Sequence, residues 1–209
     1  MKGNYIVLEG IVGCGKTTQA KKLYEYLKNK YPEREIILTR EPGGSEIAEH
    51  IRTVVQGTVF SESMTPECEA YLYAAARAQT LRSIVLPVIQ RGGIVITDRS
   101  FLSSAAFQGA GRGLKTTTIL EINKHAVPII PDQILFLDVD PTVGLERSFD
   151  KKGDKFEQEN VAFFKRVREG YREIGTLSPF QERWKTINAA GSVEEVFAEI
   201  TKALMLLSP

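Results

Sequence analysis

The stretch Glu9-Gly10-Ile11-Val12-Gly13-Cys14-Gly15-Lys16-Thr17-Thr18 holds the residues most clearly suited to chemistry. Gly10, Gly15, Lys16 and Thr17 have the Gly-x-x-x-x-Gly-Lys-Thr spacing of a phosphate-binding loop, or P-loop. Glycines let a backbone wrap close to phosphate oxygens, so that several N–H groups converge on them. A helix opening at the end of the loop adds its positive end to the same anion. Lys16 is suited to reach β- and γ-phosphates, and the Thr17 hydroxyl to ligate Mg²⁺. Gly10, Ile11, Val12, Gly13, Cys14, Gly15, Lys16, Thr17 and Thr18 are therefore expected to cradle the phosphates of a nucleoside triphosphate.

That chemistry needs a strand before the loop and a helix after it. Tyr5–Leu8 reads as the strand and Lys16 to about Lys30 as the helix. Four further apolar runs follow, at about Glu35–Arg40, Ile94–Asp98, Gln133–Asp138 and Lys185–Ala189. They are nearly continuous rather than alternating, as strands buried on both faces are. Alternation of such strands with helical patterns implies a three-layer α/β fold, a five-stranded parallel sheet between helices. Ligands in such sheets sit beyond the carboxyl ends of the strands.

The residues at those ends are then candidates. The second strand leads into Thr39-Arg40-Glu41-Pro42-Gly43-Gly44, and a helix capped by Ser45 carries Arg52. A long helix from Thr65 to about Gln90 places Glu69, Tyr73 and Arg77 on one face, with Pro87 expected to kink or loosen its last turn. The third strand ends in Asp98-Arg99, an acid able to hold hydrated Mg²⁺ beside a base able to grip phosphate. Leu102 to Gln108 and a flexible Gly109–Gly113 stretch follow, then a helix from Thr116 to about Ala126. Asp140-Pro141 starts a helix that contains Arg147. Arg147, Lys151, Lys152 and Lys155 make residues 147–158 a basic lid. Helices from about Gln158 to Thr176 and from Ser192 to about Leu206 complete the chain.

Composition narrows the class. At 209 residues, with 43% apolar and 25% charged content, the chain suits one globular domain over 1–209. A net charge of +1 argues against a nucleic-acid binder. Cys14 and Cys68 form no C-x-x-C pattern, which points to a reducing compartment. A strand within four residues of the start leaves no room for a signal peptide, and no apolar run approaches membrane length, so a cytoplasmic protein is expected.

These motifs together resemble the bacterial thymidylate kinases, P-loop nucleoside monophosphate kinases, over essentially the whole length. The resemblance rests on Glu9–Gln19, on Thr39-Arg40-Glu41-Pro42-Gly43-Gly44, on Ala75-Ala76-Arg77, on Asp98-Arg99 with Ser103-Ser104 and Gln108-Gly109, and on Leu137-Asp138-Val139. Asp154–Gln158 is similar to the family's lid segment, with Lys155 where Arg is usual. The resemblance implies transfer of the ATP γ-phosphoryl group to dTMP with Mg²⁺, serving dTTP synthesis and DNA replication, and a homodimer. It implies that Gly13 to Thr18 bind ATP phosphates, and that Arg52, Arg77 and Arg99 bind the acceptor phosphate. Tyr73 would stack on the pyrimidine, Arg77, Ser104 and Gln108 would surround the base, and Glu41-Pro42 would lie near the acceptor and metal. Lys16, Arg99, Arg147 and Lys155 would stabilise the charge in transfer, and Thr17 and Asp98 would hold the metal.

Two positions depart from the family pattern. Val12 stands where an acidic residue is usual, and losing one charge-assisted hydrogen bond costs about 1.5–3 kcal/mol. Phe107 stands near the sugar where Tyr is common. They leave open a kinase for another small acceptor (dUMP or another nucleotide or nucleoside), or a catalytically weakened relative. A GTPase switch is a further alternative, but Asn123-Lys124-His125-Ala126 lacks the Asp of the guanine motif and follows no strand run.

Overall fold

The computed structural model describes residues 2–57, 60–148 and 159–204. Residues 149–158, with Lys151, Lys152 and Lys155 of the expected lid, lie outside the described residues, as does the expected end of the last helix near Leu206. Strands β1 (Asn4–Glu9), β2 (Ile36–Arg40), β3 (Ile94–Asp98), β4 (Gln133–Asp138) and β5 (Trp184–Asn188) form one parallel sheet in the order β2-β3-β1-β4-β5. The three inner strands β3, β1 and β4 are buried nearly throughout, which is why their sequences are continuous apolar runs. The edge strands β2 and β5 are largely half-exposed.

β1 is where the winding reverses. From it the chain runs out to β2 and back through β3 on one side, then crosses over to β4 and β5 on the other. The crevice beyond such a reversal point is where open parallel sheets bind ligands. Register puts Arg40 opposite Asp98 and Leu8 opposite both Asp98 and Leu135, so the loops after β1, β2 and β3 open on the same edge.

The helices are α1 (Lys16–Lys30), α2 (Glu46–Gln56), α3 (Pro66–Thr80), α4 (Leu86–Gln90), α5 (Phe101–Ser104), α6 (Thr116–Asn123), α7 (Pro141–Ser148), α8 (Val161–Ile174) and α9 (Val193–Ala203). Their starts follow capping chemistry: Ser45, Thr65 and Ser192 each accept a backbone N–H from the first turn. Pro87 acts one turn earlier than expected. The last turn, Leu86–Gln90, is α-helical, and the wider-pitched segment is Leu81–Val85, where Leu86 N–H reaches back to Leu81 O. A proline ring crowds the carbonyl four residues before it, and a wider turn relieves that.

The Gly109–Gly113 stretch is not a flexible loop up to Gly111. Residues Phe101–Ser104 continue through Ala105–Gly111 as one helix, α then π. Tertiary packing overrides the glycine content. A Cβ on Gly111 would stand 2.8 Å from the Phe163 ring, and one on Gly170 of α8 would stand 2.5 Å from the Ala110 Cβ. The glycines let two helices approach closely. Glycine to alanine in an open helix stabilises by about 1 kcal/mol, whereas overpacking a helix contact costs about 1–3 kcal/mol. Gly170→Ala is therefore expected to lower stability by about 1–3 kcal/mol in denaturant unfolding. A stabilised variant would show that this contact is loose.

Candidate active site

The loop after β1 closes tightly on its surroundings. Gly13 has φ +69°, and a Cβ there would stand 1.8 Å from the carbonyl oxygen of Gly144 in α7, so no larger residue fits. Lys16 opens α1, and its Nζ donates to Ile11 O at 2.7 Å and lies 3.3 Å from Cys14 Sγ. Ile11 and Cys14 are buried in the core, and Thr17 and Thr18 are exposed in the first turn of α1. Thr17 Oγ1 donates to Asp98 Oδ2 at 2.6 Å, which brings the two expected metal ligands together.

Two cavities meet at this edge. The larger, about 1540 Å³ including open solvent, is lined by Gly13, Lys16, Thr17, Arg40, Arg52, Asp98 and Arg147, among others. The smaller, about 410 Å³ on the same measure, is lined by Pro42, Tyr73, Arg77, Ser104, Phe107 and Gln108, among others. Val12, Glu41 and Arg99 line both. The first is rich in cations and carries the loop. The second has an aromatic wall and a few polar groups, as small-ligand sites do.

Each expected acceptor residue has a definite position. Arg77 is buried; its Nε donates to Glu41 Oε2 at 2.6 Å, Nη1 to Asn123 Oδ1 at 2.6 Å, and Nη2 to Ser104 Oγ at 3.1 Å. It thus belongs to the smaller cavity and not to the cationic one. Arg52 Nη1 donates to Pro42 O at 2.9 Å at the edge of the larger cavity. Arg147 lines that cavity too, with Nη1 on Ala189 O and Nη2 on Ala190 O, both at 2.7 Å. Arg99 lies with its guanidinium 4.9 Å from the Phe107 ring centre, and Nη1 donates to Gly10 O at 3.0 Å and Ser103 Oγ at 3.1 Å.

Several residues of the site were not singled out as functional in the sequence. Glu9 ends β1 fully buried, and it accepts from Ser100 at 2.6 Å, Ser103 at 2.5 Å and Tyr171 at 2.9 Å. Burial raises its pKa, and the Ser100 and Ser103 hydroxyls oppose that rise. Burial likewise raises the pKa of Glu41, against the pull of Arg77. Burial works against the Arg99 charge, but Tyr171, Asp98 and Glu9 around it raise its pKa overall, so it stays a cation. Asn123 orients Arg77, and Glu69 accepts from Gln108 at 2.6 Å. Glu9 was visible as an acid ending an apolar strand and as the first residue of the loop motif, and Glu69 by helical spacing with Tyr73 and Arg77, whereas Asn123 carried no such signal.

A strand-loop-helix with P-loop spacing, joined through a shared arginine to a second, aromatic-walled cavity, is the arrangement of a P-loop nucleotide kinase. A family model described as thymidylate kinase matches residues 8–200. The chain is 41% identical over 209 residues to the thymidylate kinase of Geobacillus sp. (strain WCH70), covering 98% of this chain and 97% of that one. It is 42% identical over 204 residues to the thymidylate kinase of Finegoldia magna, covering 96% and 97%. The crystal structure of thymidylate kinase from Ehrlichia chaffeensis superimposes with a TM-score of 0.77 at 30% identity, covering 97% of this chain and 98% of that one. The chain belongs to the thymidylate kinase family, and so is an enzyme, a nucleoside monophosphate kinase.

The buried Glu9 has a pH signature. With its pKa raised on folding, the native chain keeps a proton that the unfolded chain has lost. The stability this contributes is complete below the ordinary glutamate range and is lost as pH rises through the raised value. Glu9→Gln removes that titration. Its melting temperature is expected to fall less than that of the wild type between mildly acidic and neutral pH, and an identical fall would show that Glu9 titrates normally.

Proposed function

We propose that the chain transfers the γ-phosphoryl group of ATP to dTMP, with the triphosphate in the loop cavity and the thymidylate in the cavity of Tyr73, Arg77 and Gln108. The observation that carries this reading is the junction of the two cavities at Val12, Glu41 and Arg99. A monophosphate whose base fills the smaller cavity presents its phosphate to that junction. There the Arg99 guanidinium is held by Gly10 O and Ser103 Oγ, so it costs little reorganisation to grip an incoming phosphate.

The residues divide the work. Tyr73 and Phe107 enclose the pyrimidine, and Arg77, Ser104 and Gln108 supply its polar contacts. Lys16 holds the β- and γ-phosphates, and Arg52 with Arg99 orients the acceptor phosphate. Arg147, and Lys155 outside the described residues, add positive charge that stabilises the phosphoryl group in transfer. A phosphate acceptor is already nucleophilic near neutral pH, so alignment and charge neutralisation suffice without a proton-abstracting histidine. Thr17 Oγ1 and the Asp98 carboxylate, both hard oxygen donors 2.6 Å apart on the loop cavity, fit Mg²⁺. When bound, that ion neutralises charge on the β- and γ-phosphate oxygens. No helix among the described residues is long and apolar enough to cross a membrane, which is consistent with work in the cytoplasm. Tyr71, 62% exposed, and the small residues Ala75 and Ala78 recur at helical spacing on α3, which suits a homodimer contact.

The test is ADP release with ATP, Mg²⁺ and either dTMP, dUMP, TMP or no acceptor. Turnover is expected to depend on dTMP and to fall at least about 100-fold in Lys16→Met, since removing a preorganised charge-stabilising donor costs about that much. ADP release independent of acceptor would contradict the reading. Val12→Glu, which adds a charged acceptor at the junction, is expected to raise dTMP turnover or affinity by about tenfold, on the scale of one charge-assisted hydrogen bond.

A further inference from the structure

The Gln108 amide on the acceptor cavity's wall is oriented from outside the cavity. Gln108 and Glu69 are each 2% exposed, and Gln108 Nε2 donates to Glu69 Oε1 at 2.6 Å. Gln108 lines the cavity, and Glu69 is not among its lining residues. Glu69 Oε1 also faces Arg112 Nε at 3.7 Å, and Arg112 in turn pairs with Glu159 and lies 5.0 Å from the Phe163 ring centre. An ionised carboxylate only accepts hydrogen bonds, so the amide nitrogen must face it. The amide oxygen is then the atom left for a ligand.

We propose that Glu69 is a specificity-determining positioning residue: it locks the Gln108 amide with its oxygen toward the base, and so sets the cavity to read an imide. Arg77 beside it can only donate, and its guanidinium is itself fixed by Glu41 and Asn123. The cavity therefore offers a fixed donor next to a fixed acceptor. Thymine presents the complement, a carbonyl oxygen (O4) next to an N–H (N3). Cytosine presents a bare ring nitrogen next to an amino group, so its acceptor and donor are exchanged. A freely turning amide could serve either base by flipping. Flipping Gln108 would bring its oxygen against the Glu69 carboxylate, two acceptors with no proton between them. Discrimination of this kind is strong because the wrong base leaves buried polar groups unpaired.

The inference rests on reading this cavity as the base site, and the test separates the two. In Glu69→Gln, the new amide can face Gln108 with either its oxygen or its nitrogen, so the lock is released at constant size. The KM for dTMP is expected to rise about tenfold with kcat changed much less, and the preference in kcat/KM for dTMP over dCMP to fall by about tenfold or more. A purely structural role would lower both substrates together and leave that ratio unchanged, which would overturn the proposal. Gln108→Ala serves as the reference. If it loses the preference while Glu69→Gln keeps it, the Glu69 role fails and the base site stands. If neither changes the preference, the base site fails as well. A measurement on the wild type does not depend on any variant folding. The 5′-monophosphate of N3-methylthymidine has no proton for the Gln108 oxygen and is expected to compete at least about tenfold more weakly than dTMP. Equal competition would overturn the proposal.

Discussion

A buried ion pair sets the shape of the acceptor side. Arg77 and Glu41 meet at 2.6 Å with side chains only 2% and 1% exposed. Withdrawing such charges from water costs several kcal/mol per ion, and the attraction between them offsets this only if their remaining groups are also satisfied. Here Asn123, Ser104 and the Ser100 carbonyl take three of the other four guanidinium hydrogens, and the Tyr5 hydroxyl reaches the second Glu41 oxygen at 3.4 Å. The network joins β1, the turn after β2, α3, α5 and α6. Removing one partner from such a pair costs about 3–5 kcal/mol, because the other charge is left buried alone. Its contribution is best seen in geometry. It holds an arginine, an all-donor group, at a fixed place on the wall of the smaller cavity.

The donor side depends on backbone closeness rather than on charge. The reversal of winding at β1 opens a crevice, and the loop fills it only because Gly13 lies against Gly144 of α7. Arg99 bridges the two sides. Its φ of 74° is unusual for a non-glycine residue, and it bends the chain after β3 so that the guanidinium turns back to Gly10 O. Two sites built by different physics are thus joined at one cation.

The sequence was most legible where a motif is local. The loop, the five strands and the spacing of Tyr73 and Arg77 follow from runs of fewer than about ten residues. The helix from Phe101 to Gly111 was not legible, because its glycines oppose helix formation and only contact with α8 explains them. Glu9 was hidden for a similar reason: its partners Ser103 and Tyr171 lie 94 and 162 residues away in sequence. The same holds for Glu69, whose helical spacing was visible but whose partner Gln108 lies 39 residues on. Arg77 shows the limit of type-based assignment. The sequence marks this arginine for both the acceptor phosphate and the base, and the structure shows it bonded to a carboxylate, an amide and a hydroxyl on the wall of the smaller cavity.

The central claim is that two nucleotide sites meet at Val12, Glu41 and Arg99. The most direct measurement is binding of a conjugate in which a polyphosphate chain links adenosine to thymidine. Two adjoining sites make the second contact intramolecular, so the conjugate should bind at least about 100-fold more tightly than dTMP or ATP and displace both. A conjugate that competes with only one of them, at ordinary affinity, would contradict the claim that the cavities form one continuous reaction site.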